Sequence, residues 1–186
     1  MKLTKEKIIN LSIILGIGVV LFTPTGFELK VILNRFLSFS PTELKSDDQQ
    51  VLLDYNWQLS SQDRGAHNFN EYNDKVVVLN FWATWCPPCV AEMPSMQQLY
   101  TDYNNKVVFM FVTSDDHEKV TSFLKKKGYD IPVYYPLTEV PKMLSSKLLP
   151  TTYIINKNGK IVVAETGAAD WNSLKTRKLL DTLLQE

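Results

Sequence analysis

The longest hydrophobic feature of the chain is also its first. After Met1-Lys2-Leu3-Thr4-Lys5-Glu6-Lys7, no charge appears from Ile8 through Phe27. A helix needs about 20 such residues to cross ~30 Å of hydrocarbon. The most apolar part, Ile8 to Phe22, would span only roughly 23 Å at 1.5 Å per residue. Length alone therefore leaves a signal peptide and a transmembrane anchor both open. Secretory cleavage wants small residues in an A-x-A-like pattern, and no alanine precedes Ala66. The segment 1–27 reads as a cytoplasmic tip and uncleaved anchor. Lys2, Lys5 and Lys7 ahead of the run outweigh Lys30 and Arg35 behind it, which puts the bulk of the chain outside the cytoplasm.

Beyond it the period changes. Leu29, Ile32, Leu33, Phe36 and Leu37 fall on one side of a helix, and Glu28, Lys30, Asn34, Arg35 and Ser38 on the other. This amphipathic segment either lies among lipid headgroups or docks on the soluble domain. Ser40-Pro41 and Glu43 to Gln50 form a polar linker, so the segment and linker cover 28–50 and the domain 51–186.

Within the domain, Val51 to Leu59 reads as a strand, followed by a polar turn at Asp63-Arg64-Gly65 and a short strand over His67 to Phe69. Together these form an N-terminal β-hairpin extension. Val76 to Trp82 and Val107 to Thr113 are near-continuous apolar runs, which mark strands covered on both faces. A helix is expected from the cysteines to about Tyr103. A second opens at Asp115-Asp116-His117-Glu118 and closes at Lys125-Lys126-Lys127-Gly128. After Pro136 come a short helix near Val140–Ser146, a strand at Thr151–Asn156, a turn at Lys157–Lys160 and a returning strand at Ile161–Glu165. Leu174, Leu179, Leu180, Leu183 and Leu184 give a closing amphipathic helix. This order implies an α/β fold, a mixed central sheet flanked by helices on both faces.

Composition narrows the function. Apolar residues are 45% and charged residues 22% of the 186, a globular balance. Twenty basic residues match twenty acidic ones, which argues against a nucleic-acid partner, so Lys125–Lys127 read as a solvated helix end. Only two cysteines occur, Cys86 and Cys89. They close too short a loop to staple a fold, so their use is chemical.

Trp85-Cys86-Pro87-Pro88-Cys89 follows a buried strand and opens a helix. Unpaired N–H groups and the positive end of the dipole at such a place stabilise a thiolate, the species that attacks a disulfide. Zinc would want four ligands, and the only other soft candidates, His67 and His117, stand alone as ordinary surface histidines. A peroxide-reducing site would carry threonine three residues before the reactive cysteine, where Ala83 stands. Thiol–disulfide exchange is the chemistry that remains.

Asn80-Phe81-Trp82-Ala83-Thr84-Trp85-Cys86-Pro87-Pro88-Cys89, Glu92-Met93-Pro94 and Leu149-Pro150-Thr151-Thr152 resemble the thioredoxin fold. More narrowly, they are similar to the membrane-anchored TlpA/ResA-like thiol–disulfide oxidoreductases. The resemblance runs from Val51 to the C-terminus. It implies that Cys86 is the exposed nucleophile, Cys89 the buried resolving thiol and Pro150 a cis proline facing them. It also implies a substrate face of Trp85, Pro87, Pro88, Leu149 and Thr151, and no cofactor beyond the redox-active cysteine pair. Pro94 should kink the active-site helix. Thioredoxin itself carries a buried aspartate where this chain has Asn80, which cannot titrate. Glu92, three residues after Cys89, is the nearest sequence-local carboxylate and the candidate to move protons, although an acid early in a helix can also serve only its dipole.

The expectation is a membrane-tethered reductase of extracytoplasmic (periplasmic) protein disulfides, of cytochrome-maturation type, supplied by a transmembrane electron donor. An oxidase or isomerase, or a non-catalytic module binding metal- or haem-protein precursors, stays open as the alternative.

Overall fold

The computed structural model describes residues 4–61 and 65–186. Met1, Lys2 and Leu3, and Asp63 and Arg64 of the expected turn, lie outside the described residues. The helices are α1 (Lys5–Phe22), α2 (Pro24–Phe36), α3 (Pro87–Tyr103), α4 (His117–Lys127) and α5 (Leu174–Gln185). The strands are β1 (Gln58–Ser61), β2 (Gly65–Asn68), β3 (Val77–Phe81), β4 (Val108–Val112), β5 (Val133–Pro136), β6 (Thr151–Ile155) and β7 (Ile161–Thr166). Turns of 3-10 helix occupy Phe69–Tyr72 and Lys142–Leu144.

Among the described residues, seven strands form one sheet in the order β2-β1-β5-β4-β3-β6-β7. The β3–β4 and β4–β5 pairs are parallel and the rest antiparallel. Alternation along β3 sorts the core into two layers. Val76 and Val78 point to a cluster with Met93, Met96 and Leu99 of α3, Val120 of α4 and Leu180 of α5. Val77 and Leu79 point to the opposite cluster, with Trp57, Leu59, Phe69 and Leu144. The expected helices on both faces do not form: among the described residues α3, α4 and α5 all pack on the first face, and the second is covered by the hairpin side and the 3-10 turns. Truncating a fully buried side chain such as Leu99 to alanine would cost about 2–5 kcal/mol.

Several expectations need correction. The strand read over Val51 to Leu59 forms only at its end, as Gln58–Ser61. Nothing in the sequence pattern marks 133–136 as more than a connection, yet β5 is the strand that joins the hairpin to the central sheet, through Leu59↔Pro136 and Ser60↔Tyr135. Bounded by Pro132 and Pro136, it is too short to announce itself. The uncharged run is not one helix to Phe27, because the chain breaks at Thr23. The Thr23 side chain accepts from the Gly26 amide and Pro24 fills the first turn, a strong start for a second helix. No single described helix is long and apolar enough to cross a membrane; Lys5–Val20 and Pro24–Phe36 qualify only as a pair bent by 77°. His67 is buried rather than on the surface, with Nε2 3.1 Å from Ser61 Oγ and its ring edge-on to Tyr134.

The amphipathic segment is docked: Val31 of α2 is buried with Val90 and Ala91 of α3. Behind it the stretch 39–51 runs along β7 and the loop that follows. It bridges Phe39 to Ala169, Glu43 to Val163 and Val51 to Lys160, and Leu44 N–H donates to the Val162 carbonyl at 2.8 Å.

Candidate active site

The parallel strands β3 and β4 end on the same sheet edge, and the turn after β3 delivers the cysteines there. Cys86 caps α3: its sulfur accepts from the Cys89 amide at 3.3 Å, and Pro87 fills the first helical position. Cys86 and Cys89 are joined as a disulfide. The expected exposed nucleophile is only slightly more open than its partner, 4% against 0%, whereas the neighbouring Trp85 is 66% exposed. The indole, more than the sulfur, is what the solvent meets at this edge.

Antiparallel pairing of β6 with β3 places Thr151 opposite Phe81 and Thr152 opposite Asn80. That register brings Pro150, whose peptide bond to Leu149 is cis, to the edge that carries the cysteines. Leu149 packs against the cluster containing both sulfurs. Leu149 and Trp85 also line a cleft of about 380 Å³ with Trp82, Ala83, Asp115 and Ser146. Pro87 and Pro88 are half-buried at the helix start, outside that lining. Thr151 is buried, and its hydroxyl donates to the Leu148 carbonyl at 2.9 Å. Pro94 lies inside α3, and the helix continues through it.

Glu92 is the most unusual group in the site. It is wholly buried, and three donors converge on its carboxyl. Asn80 Nδ2 donates to Oε1 at 2.8 Å, and the Trp171 indole N–H and the Ala169 amide donate to Oε2 at 2.8 and 3.3 Å. Burial pushes its pKa up to about 8, against the three hydrogen bonds, which pull it down. The proton position that Asn80 cannot offer as an acid is therefore offered one residue away in space, by a group Asn80 holds. Asn80 Nδ2 also donates to Thr152 Oγ1 at 2.7 Å, while its Oδ1 has no partner among the described residues. Turning that amide over would present Oδ1 to Glu92, which is the acceptor a protonated carboxyl needs.

The cysteines, Glu92 and Pro150 are named from the sequence; Trp171, Ala169, Thr152 and Asp115 enter the site only with the structure. Asp115 accepts from both the amide and the hydroxyl of Thr84, tying the turn before Cys86 to the β4–α4 loop. The loop carrying Ala169 and Trp171 is itself braced. Ser95 Oγ accepts from the Trp171 amide and donates to the Glu92 carbonyl, and the Asp170 amide donates to the Phe39 carbonyl. No local pattern marked Trp171, because its role exists only once α3 and the β7–α5 loop are side by side.

Residues 30–184 match the family model described as Redoxin. The chain is 37% identical over 116 residues to the thiol-disulfide oxidoreductase ResA of Oceanobacillus iheyensis, an alignment covering 61% of this chain and 60% of that protein. It is 34% identical over 120 residues to ResA of Geobacillus thermodenitrificans, covering 63% and 69%. The structure of a secreted thiol-disulfide isomerase from Corynebacterium glutamicum superposes with a TM-score of 0.57 at 18% identity, over 78% of this chain and 92% of that one. At that identity the likeness concerns the fold alone.

Proposed function

The chain belongs to the redoxin family, and from that premise we propose that it is a thiol–disulfide oxidoreductase that reduces protein disulfides outside the cytoplasm. The observation that carries this reading is the Cys86–Cys89 pair at the start of α3, with Glu92 buried one turn further along the same helix.

The cycle begins from the dithiol. Cys86 as thiolate, favoured by the α3 N-terminus, attacks one sulfur of the substrate disulfide and expels the other as a thiolate. Cys89 then attacks the Cys86 sulfur, closing the internal disulfide and releasing the second substrate sulfur. Two electrons pass to the substrate, and its two new thiols take up two protons. Cys89 must lose a proton to act, and a carboxyl with a pKa near 8 is matched to exchange it near neutral pH. Trp85 and Leu149 line the cleft where a substrate segment would lie, with Pro87 and Pro88 at its side and the backbone around Thr151 available to an extended chain. A donor dithiol on or in the membrane returns the pair to its reduced state. The uncharged run in α1 supports tethering of the chain to that membrane, with the domain on the far side from the cytoplasm, and the likeness to ResA supports thiol–disulfide exchange as the reaction; substrates of cytochrome-maturation type are what the resemblance of the motifs implies.

Replacing Cys89 by alanine tests the division of labour. Attack through Cys86 should proceed and resolution should fail, so mixed disulfides accumulate on non-reducing gels and vanish when Cys86 is also replaced. Adducts forming equally through Cys89 in a Cys86→Ala protein would reverse the assignment.

A further inference from the structure

Helix α2 is apolar on the wrong side for a helix packed on a domain. Leu29, Ile32, Leu33 and Phe36 recur at i, i+3, i+4 and i+7 and are 42, 48, 51 and 82% exposed. Val31, on the other side of the helix, is buried against Val90 and Ala91 of α3. Charges sit on the flanks between these faces: Glu28 pairs with Lys127 of α4 at 3.3 Å, and Arg35 offsets part of the rise that burial causes in the Tyr129 pKa. A docked surface helix ordinarily turns polar residues outward. Here apolar side chains face both the domain and the outside.

The junction with α1 says what the outer face meets. Thr23 closes α1, with its amide on the Val19 carbonyl, and at the same time caps α2. No linker separates them, and the pair is bent by 77°. A Cβ at Gly26 would lie 2.2 Å from the Val20 carbonyl oxygen, so the two helices meet at a contact that admits only glycine. If α1 stands along a bilayer normal, this junction lays α2 nearly in the plane of the bilayer surface, where an exposed apolar strip is at home.

We propose that α2 is a platform between membrane and enzyme. Its outer face of Leu29, Ile32, Leu33 and Phe36 rests at the headgroup–acyl boundary of the bilayer that α1 enters, and its inner face carries α3. The proposal rests on the tethered reading above and deepens it. Packed helices stand about 8–10 Å apart, so the first turn of α3, with Cys86, is held roughly one helix layer above the headgroups. The disulfides it serves are then those of protein segments lying at the membrane surface.

The test uses the full chain in phosphatidylcholine–phosphatidylglycerol vesicles with plain or brominated acyl chains. Phe36→Trp places a reporter indole at an exposed position, and wild type gives the baseline from the four native tryptophans. The added emission should fall by at least half in brominated vesicles. In parallel, an L29S/I32S/F36S variant should reduce a soluble small disulfide at the wild-type rate, yet slow severalfold on a peptide disulfide tethered to the vesicle surface. If the protein sediments with vesicles but the reporter emission is unquenched, tethering stands and the platform is overturned. A doubled mass in nanodiscs together with an unquenched reporter assigns the face to a second copy and overturns it as well. Protein that does not sediment with vesicles removes the tethered reading and the proposal with it.

Discussion

Two carboxylates flank the candidate dithiol, and each receives three hydrogen bonds. Glu92 accepts from Asn80, Trp171 and Ala169. Asp115 accepts twice from Thr84 and once from the Asp116 amide. Yet burial drives Glu92 up to about 8, whereas at Asp115 burial opposes the charge and the hydrogen bonds outweigh it, so its pKa is lowered. The number of donors is the same, and what differs is how much water is left. Desolvation decides which acid can hold and release a proton near neutrality and which stays a fixed anion bracing a loop.

The largest effect should come from Glu92→Gln, which keeps the shape and removes the titration. Thiol exchange near neutral pH should slow by about tenfold or more, and the inflection near pH 8 in the rate profile should vanish. Stability should respond in the opposite sense. The folded pKa lies above the ordinary 4.5, so this group's stabilising contribution is complete below that value and is lost as pH rises to about 8. Denaturant titrations should therefore show the glutamine variant gaining on wild type as pH increases across that window. A constant difference would leave Glu92 a packing residue.

Trp171→Phe is the next in size. It keeps an aromatic ring there and deletes one donor that favours the charged form, so the exchange profile should move alkaline by up to about one unit. The shift should be absent in a Glu92→Gln background; if it persists there, Trp171 acts on the thiols by another route.

Asp115→Asn should be the smallest. It leaves the exchange profile where it is and changes rates by less than about twofold. It lowers stability only where Asp115 is charged: above the ordinary 3.8 the contribution is present, and it is lost as pH falls through the lower folded value. A profile displaced as far as that of Trp171→Phe would end the distinction between the two acids.

What the sequence made legible follows the range of the interactions. Cys86, Cys89 and Glu92 lie within one local pattern, and the run 76–82 announced its buried strand, so this half of the site was readable. The Leu149–Thr152 motif placed Pro150 through resemblance, and the sheet register accounts for it. Trp171 and Ala169 approach Glu92 across more than seventy positions, with no periodicity to mark them. His67 looks like a surface residue in the sequence because only the pairing of β1 with β2 and β5 encloses it. The break at Thr23 is a different case. Its signal, threonine then proline, is present, but the long absence of charge from Ile8 to Phe27 outweighs it.

Glu92 should carry a proton near neutral pH because it is buried, despite its three donors. Carbon-13 NMR of the carboxyl in protein labelled at glutamate, followed across pH and assigned with Glu92→Gln, reads this directly. A single glutamate should titrate with a midpoint near 8. A Glu92 resonance titrating near the ordinary 4.5 would contradict it.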